Sequence, residues 1–559
     1  MSVTMNFLRT SLLSVAGLPL MFPEMTAGTE PEHLAESGDR PPNILFIIAD
    51  DLGYGDLQCF GNPYLETPNL NRLAAEGVSL MDHYAPSPLC APSRAGFLTG
   101  RYNHRTGGVD VSSNRGVDRI ALDEWIFGDY FRHAGYATAL IGKWHNGAYN
   151  RDYLPHNRGF DLFYGFANGE MDYWDWYLQR NDAVERHDGR YLTDVLNEET
   201  IAFIRENRDQ PFAVFLAHLA PHAPLQAPPE LIEKYVEIID GTYDKSVAII
   251  YAMIEAMDTG LGEVFSELEA LGLREDTIIV FTSDNGAHLG GSRRRGETQY
   301  RYTGGFSGNK RYVLEQGIRV PAIVSWPGRV PGGEWVSIPV HGCDWLPTLY
   351  ALTGTDLPPD AKPFDGADVM PVLQGEDGPE WRERVLPFQK NRYTPVAHSG
   401  AAIRVGEWKV YWPEVAETHR KDIARDNYSF ERGAVNPHWE MPLDPDIPSF
   451  EGIETSTPRL FNLIEDPAER HDRMEEFPGI VADLKTRYNA WFEDVFEDWK
   501  AARKRIVAHD KEYWKERDAP DPAELFRDYW RWDRVDADPE TADPLEVFTG
   551  FWNYRERRQ

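Results

Sequence analysis

Four short apolar runs in this chain each end in polar, chemically capable residues, and that arrangement restricts the fold more than any other feature. Asn43-Ile-Leu-Phe-Ile-Ile-Ala49 runs into Asp50-Asp51, and Tyr136-Ala-Thr-Ala-Leu-Ile141 into Gly142-Lys143-Trp144-His145. Phe212-Ala-Val-Phe-Leu-Ala217 leads to Pro221-His222, and Thr277-Ile-Ile-Val-Phe-Thr282 to Ser283-Asp284-Asn285-Gly286. Near-continuous apolar runs of this length read as strands buried on both faces, the habit of parallel sheets covered by helices. Helical patterns lie between and after them. Residues 67–77 open on Thr67-Pro68 and close on Gly77, residues 246–271 carry a long apolar periodicity, and residues 344–354 read as another capped helix. The expected class is α/β, with a large, mostly parallel sheet sandwiched by helices. Ligands of open α/β sheets bind outside the carboxyl ends of the strands. Parallel pairing would therefore put all four polar clusters on one edge.

The pattern changes near Gly375. Residues 385–389, 401–405, 408–412 and 459–463 read as short strands separated by turns, with a hairpin at Gly406-Glu407. The expected division is a main domain over 42–375, a smaller C-terminal α+β subdomain with a short antiparallel sheet over 376–489, and an aromatic-rich extension over 490–559. At the other end, Arg9 precedes an apolar run over 11–22, followed by small residues at Thr26-Ala27-Gly28. The run is too short to span a bilayer and fits a secretory signal. Residues 1–41 are therefore read as a signal peptide and lead-in, which predicts export to a periplasm or the exterior. No other segment reads as a membrane span. A net charge of −33 over 559 residues argues against a nucleic-acid partner, which needs a basic footprint. Three cysteines, Cys59, Cys90 and Cys343, do not make a disulfide framework.

One of those cysteines sits in Ser87-Pro-Leu-Cys90-Ala-Pro92-Ser93-Arg94-Ala-Gly-Phe-Leu98-Thr99-Gly100-Arg101. Proline suits the first turn of a helix, so Cys90 is expected just outside a helix N-terminus, where free N–H groups and the dipole favour an anion. Arg94, one turn on, can clamp a tetrahedral oxyanion. Asp50, Asp51, Asp284 and Asn285 form an all-oxygen set of the kind hard divalent cations prefer. Lys143, His145, His222 and Lys310 supply positive or titratable groups. His104, His133, His156, His218 and His288 read as structural, since a lone histidine more often makes hydrogen bonds than catalyses.

The cysteine string resembles the signature of the type I sulfatases, in the alkaline-phosphatase-like superfamily, whose cysteine is oxidised after translation to formylglycine (3-oxoalanine). The resemblance runs from about Pro42 to Asp472. It continues through Asp50-Asp51-Leu-Gly-Tyr-Gly-Asp56, Gly142-Lys-Trp-His145, Ala220-Pro-His222-Ala-Pro-Leu-Gln226 and Ser283-Asp-Asn-Gly286. Lys310 with Glu315-Gln-Gly317-Ile-Arg319-Val-Pro321, Phe364-Asp-Gly-Ala-Asp-Val-Met370 and Leu460-Phe-Asn-Leu-Ile-Glu-Asp-Pro467 follow. It implies a maturation enzyme that acts on Cys90, and Ca²⁺, or Mg²⁺ in its place, held by Asp50, Asp51, Asp284, Asn285 and the modified position 90. Hydrated formylglycine would attack sulfur in line and expel the alcohol. Lys143, Lys310, Arg94 and the metal would spread the sulfuryl charge, and His222 with Lys310 would protonate the departing oxygen. His145 would then take the proton that releases sulfate, while Asp284 activates the attacking hydroxyl. The chain departs from many members at Glu315-Gln316-Gly317, where Glu-Gly-Gly is common.

The expected substrate is a sulfated carbohydrate. Met171-Asp-Tyr-Trp-Asp-Trp-Tyr177 reads either as a sugar-stacking loop or as an ordinary packed one. The basic run Ser292-Arg-Arg-Arg295, with Arg301 and Arg311, could hold further sulfates or carboxylates, or remain solvated. Alternatives are a small-ester arylsulfatase, a phosphate or phosphonate monoester hydrolase of the same superfamily, and a glycan-binding protein with a degenerate site.

Overall fold

The computed structural model describes residues 40–111, 118–148, 150–290, 299–390, 394–415 and 456–516. The expected signal segment (apart from its last two residues), Arg293–Arg295 and the tail beyond 516 lie outside the described residues.

The strands are β1 (Asn43–Ala49), β2 (Val78–Leu80), β3 (His83–Tyr84), β4 (Ala137–Lys143), β5 (Leu162–Phe166), β6 (Tyr177–Arg180), β7 (Ala183–Arg186) and β8 (Phe212–Ala217). They continue as β9 (Thr277–Ser283), β10 (Ala322–Ser325), β11 (Glu334–Val336), β12 (Val340–His341), β13 (Val385–Gln389), β14 (Ala401–Val405), β15 (Trp408–Trp412) and β16 (Arg459–Asn462). A ten-stranded sheet runs β11-β2-β10-β9-β1-β8-β4-β5-β6-β7. Its centre, β9-β1-β8-β4-β5, is parallel throughout, and β10, β6 and β7 pair antiparallel. β4 runs on to Lys143, two residues beyond its expected end at Ile141.

Side chains of a strand alternate between faces, and β1 shows what this does here. Leu45, Ile47 and Ala49 join one core, with the helices Leu192–Glu206 and Lys245–Ala270. Ile44, Phe46 and Ile48 join the other, with Phe97, Phe127 and Trp345. A sheet covered on both sides needs no polar alternation, which explains the continuous apolar runs.

The long helix Lys245–Ala270 starts on Asp244, whose carboxylate accepts from Ser246 N. It also caps a neighbour. Asp258 accepts from the backbone N–H groups of Asn69 and Leu70 at the start of the helix Pro68–Ala75, at 3.1 and 2.7 Å. Thr67, the cap expected from sequence, makes no such bond with its side chain. A carboxylate from a packed helix has taken that role.

The four-stranded antiparallel sheet β13-β14-β15-β16 forms the C-terminal unit. The helix Pro478–Glu516 runs straight across the boundary expected at 489/490. It carries the aromatic residues of the expected extension as far as residue 516. Tyr488 and Phe492 pack against Trp412 and Ile403 of the small sheet, and Trp499 and Ile506 reach Val109 and Ala121 of the main domain. Apolar residues at helical spacing give the helix one buried stripe. No helix among the described residues is long and apolar enough to cross a membrane.

Candidate active site

Strand register assembles the site. Ala49 pairs with Ser283, Ile48 with Ala217, and Ala217 with Gly142, so Asp50 and Asp284 leave the neighbouring strands β1 and β9 at one level, and Lys143 ends β4, beyond β8, within a residue of it. Asp284 N donates to Ala49 O at 3.0 Å and Asp50 N to Ala220 O at 3.1 Å, which ties the loops together just past the strand ends. Asp51 and His145 hold left-handed backbones, φ 64° and 59°. Such conformations are costly for non-glycine residues and persist where the surroundings over-determine them.

Cys90 is the first residue of the helix Cys90–Thr99, rather than the residue outside it, with Leu89 as the N-cap. The whole helix is buried. A helix start leaves its first N–H groups without intrahelical partners, so this end sets such donors beside Cys90.

The carboxylates and cations interlock. Lys143 Nζ pairs with Asp50 Oδ2. Lys310 Nζ lies 2.6 Å from Asp51 Oδ1 and donates to Cys90 Sγ at 3.0 Å. Arg94 Nε donates to Asp284 Oδ2 at 2.9 Å, and Arg94 Nη1 to Lys143 O at 3.0 Å. Asn285 Nδ2 donates to Asp51 Oδ1 at 2.7 Å. His222 Nε2 is 3.8 Å from Asp51 Oδ2, while its Nδ1 contacts Ala223 O at 2.7 Å. His145 Nε2 contacts Val111 O at 3.3 Å.

The carboxyl, amide, thiol, lysine and arginine groups of the site are buried and His222 is half-buried, and their titration follows. Burial opposes ionisation of Asp50 and Asp51, but Lys143 acts on Asp50, Lys310 on Asp51 and His222 on both, and the two carboxyls end below the usual range. Burial and the neighbouring Asp50 charge push Asp284 up to about 8 despite Arg94. Burial would lower His222, yet Asp50 and Asp51 raise it to about 9. For Cys90 burial works against the thiolate, but Lys143 and Lys310 hold it well below an ordinary thiol.

The donor set suits a divalent cation. Ligand atoms of Asp50, Asp51, Cys90 and His222 all lie within 4.8 Å of one another. Asp50 Oδ1 and Asn285 Oδ1 are buried without a hydrogen-bond partner, and three buried carboxyl groups, Asp50, Asp51 and Asp284, lie close together. A hard cation would satisfy both oxygens and relieve that crowding. His222 borders this group, a position that the oxygen-only set did not include.

Several sequence expectations land elsewhere. Arg301 is buried and bound to Asp56 through Nε at 2.7 Å and Nη2 at 2.6 Å, so it is a structural cation and not part of a substrate-facing run. Arg311 is exposed, with φ 81°. In the aromatic loop, Met171, Tyr173, Trp176 and Tyr177 are buried, while Asp172, Trp174 and Asp175 are half-buried. His104 and His218 behave as structural groups, against Gln389 and Asn197. Sequence reasoning missed Tyr173, whose hydroxyl donates to His222 O at 2.9 Å, and Ser283, whose hydroxyl accepts from Leu52 N at 3.1 Å. Both lie in segments singled out from the sequence, the loop over 171–177 and Ser283-Asp-Asn-Gly286, but their hydrogen-bonding roles left no signal there. The departure at Gln316 is a fully buried amide lying against Gly53.

The sulfatase family model matches residues 42–355, over half of the chain. A second model, described as N-sulphoglucosamine sulphohydrolase, C-terminal, matches residues 305–429. Mouse steryl-sulfatase is 33% identical over 519 residues, covering 77% of this chain and 78% of the relative. Dog N-acetylgalactosamine-6-sulfatase is 33% identical over 469 residues, covering 78% and 82%. The crystal structure of Ps i-CgsB in complex with k-i-k-neocarrahexaose superposes with a TM-score of 0.67 at 27% identity, covering 86% of this chain and 98% of that one. An anion-favouring helix start, buried cations and a cation-seeking carboxylate cluster thus occur in a chain matched over its main domain by one family. This chain belongs to the sulfatase family and is a sulfuric ester hydrolase.

Proposed function

We propose that this sulfatase removes sulfate from a sulfated carbohydrate. The observation that carries the reading is the loop around Tyr173. Its hydroxyl binds the His222 carbonyl, and Gln226 Nε2 donates to Asp172 Oδ2 at 2.9 Å. This ties the loop that carries the half-buried indole of Trp174 and the carboxylates of Asp172 and Asp175 to the His222 backbone, with Asp175 paired to His187 at 2.9 Å. Aromatic faces and carboxylate acceptors suit the faces and hydroxyls of a sugar. Relatives named for N-acetylgalactosamine 6-sulfate and a structural neighbour holding a neocarrahexaose support the same class. A steroid or aryl sulfate is the second reading, favoured by the steryl-sulfatase relatives.

Asp50, Asp51, Asp284 and Asn285 hold the metal in this reading, Ca²⁺ or Mg²⁺, which supplies positive charge to the sulfuryl oxygens. Cys90, matured to formylglycine by a dedicated enzyme, supplies the nucleophilic hydroxyl. The chain's own groups do the rest. Arg94, Lys143 and Lys310 surround position 90 with fixed positive charge, the electrostatic contribution that usually dominates. The Asp50 and Asp51 carboxylates favour a proton on His222, and its contact with Ala223 O leaves Nε2–H to protonate the leaving oxygen. His145 donates through Nε2 to Val111 O, which leaves Nδ1, buried and without a hydrogen-bond partner, as the proton acceptor. The N-terminal segment would direct export.

The test is sulfate release from a panel of sulfated oligosaccharides, a steroid sulfate, an aryl sulfate and matched phosphate esters. The carbohydrate reading requires kcat/KM highest on an oligosaccharide and lowered by Trp174→Ala there but not on the aryl sulfate. Preference for the steroid, with indifference to Trp174→Ala, overturns it.

A further inference from the structure

A buried ionic network, outside the site, joins the C-terminal sheet to the turn that follows Lys310. Glu315 opens the short helix Glu315–Ile318 and is fully buried. Its carboxylate accepts from Lys409 Nζ of β15 at 2.8 Å, from Tyr84 OH at 2.8 Å and from Arg319 Nη1 at 3.3 Å. Its backbone N–H donates to Glu469 Oε2 at 2.6 Å, while Glu469 Oε1 lies 2.8 Å from Lys409 Nζ. Lys409 and Glu469, from the C-terminal unit, therefore grip both the side chain and the backbone of Glu315.

Buried ion clusters are poor sources of stability compared with apolar packing, but they fix orientation. What this one orients is bonded to the site on three sides. Lys310 N donates to Ala287 O at 2.8 Å, Arg311 N to Pro88 O at 2.9 Å, and Gly286 N to Gly317 O at 3.0 Å. Pro88 is two residues from Cys90, and Gly286 follows Asn285. Lys310 and Glu315 are separated by four residues, with tight turns at either end, closed by Tyr312 N on Asn309 O and Gly317 N on Leu314 O. This span has little slack to absorb a shift at Glu315.

We propose that Lys409 and Glu469 are positioning residues, which set Lys310 Nζ against position 90 by fixing Glu315. The C-terminal sheet is then part of the alignment of the site and not only a packing partner. This rests on the charge-stabilising role given to Lys310 above. That role fails separately, if Lys310→Ala turns over at the wild-type rate.

The experiment compares Lys409→Met, Lys409→Arg and Glu469→Gln in the matured, metal-loaded enzyme, with Tm recorded for each. Lys409→Met and Glu469→Gln are expected to lower kcat about 10- to 100-fold, the scale of an ångström-sized misplacement, with KM changing far less. Lys409→Arg, which keeps the cation, recovers most of the rate. A double-mutant cycle on binding of inorganic sulfate, read by calorimetry, separates alignment from general damage. Glu469→Gln weakens sulfate binding when Lys310 is present and has no effect in the Lys310→Ala background. Glu469→Gln retains an acceptor for Glu315 N–H, so it reads the proposal even if Lys409→Met does not fold. Wild-type kcat in folded Glu469→Gln, or an equal loss of sulfate affinity in both backgrounds, overturns the proposal.

Discussion

Replacing Gly286 with alanine tests how tightly the metal-ligand loop and the Lys310 turn are locked together. A Cβ on Gly286 would fall 1.7 Å from Gln316 O, 2.7 Å from Gln316 C and 2.9 Å from Gly317 Cα. All three are backbone atoms, so no side chain can swing away. Reaching even the 3.0 Å floor for real Cβ contacts requires a separation of about 1.3 Å between the two segments. One segment carries Asn285, bound to Asp51 at 2.7 Å. The other carries Lys310 and is clamped at Glu315 by Lys409 and Glu469. Overpacking of this kind costs about 1–3 kcal/mol of stability, but misplacing catalytic groups by an ångström costs about 100-fold in rate. The assay is initial rates on an aryl sulfate with saturating Ca²⁺, together with urea unfolding. Activity should fall by about two orders of magnitude while the protein stays folded. Gly479→Ala is the control, since a Cβ there meets nothing within 4 Å, and it should leave both quantities unchanged or slightly raise stability. Near-wild-type kcat/KM and an unchanged urea midpoint in Gly286→Ala would refute the idea that this contact holds the site in register.

Cys90→Ala should abolish sulfate release without unfolding the protein, because the nucleophilic hydroxyl is built from this side chain; wild-type turnover by this variant contradicts the assignment. Removing divalent metal should abolish activity and lower Tm, with Ca²⁺ or Mg²⁺ restoring both and Zn²⁺ not restoring activity, as an oxygen-rich site demands; full turnover in a verified metal-free preparation counts against it. Asp344→Asn should destabilise the fold by about 3 kcal/mol at neutral pH, because Asp344 accepts from Arg384 at 2.7 and 2.6 Å and from His341 N and Ala367 N. Burial opposes the Asp344 charge, but Arg384 holds its carboxyl below the unfolded value. The stabilisation is therefore complete above about pH 4 and lost as pH falls through the lower folded value. The gap between wild type and variant in urea midpoint must narrow in that acid range, and a constant gap would show that the pair is not the source.

What the sequence revealed and what it hid divide along a physical line. β1, β8 and β9 were legible because strands covered on both faces must be apolar throughout, and the residues that follow them are conspicuous because they break that run. Their assembly needed only parallel pairing, which register then supplied. The helix at Cys90 was legible from proline and its place was missed by one residue, a difference that depends on the backbone of Leu89 and not on composition. Contacts across long sequence separation left no local trace. Asp258 capping a helix 188 residues earlier, Arg301 neutralising Asp56 and Tyr173 supporting His222 each use a residue type that is unremarkable where it stands. The basic run shows the cost of reading charge by proximity in sequence. Arg301 looked like a substrate contact because arginines precede it, whereas burial of Asp56 created a demand for a cation that Arg301 meets. Local patterning encodes elements and strand ends, but the pairing of buried charges is fixed only when distant segments meet. The alignment of Lys310 through Glu315, Lys409 and Glu469 is a pairing of that second kind, and its sequence signature is accordingly faint.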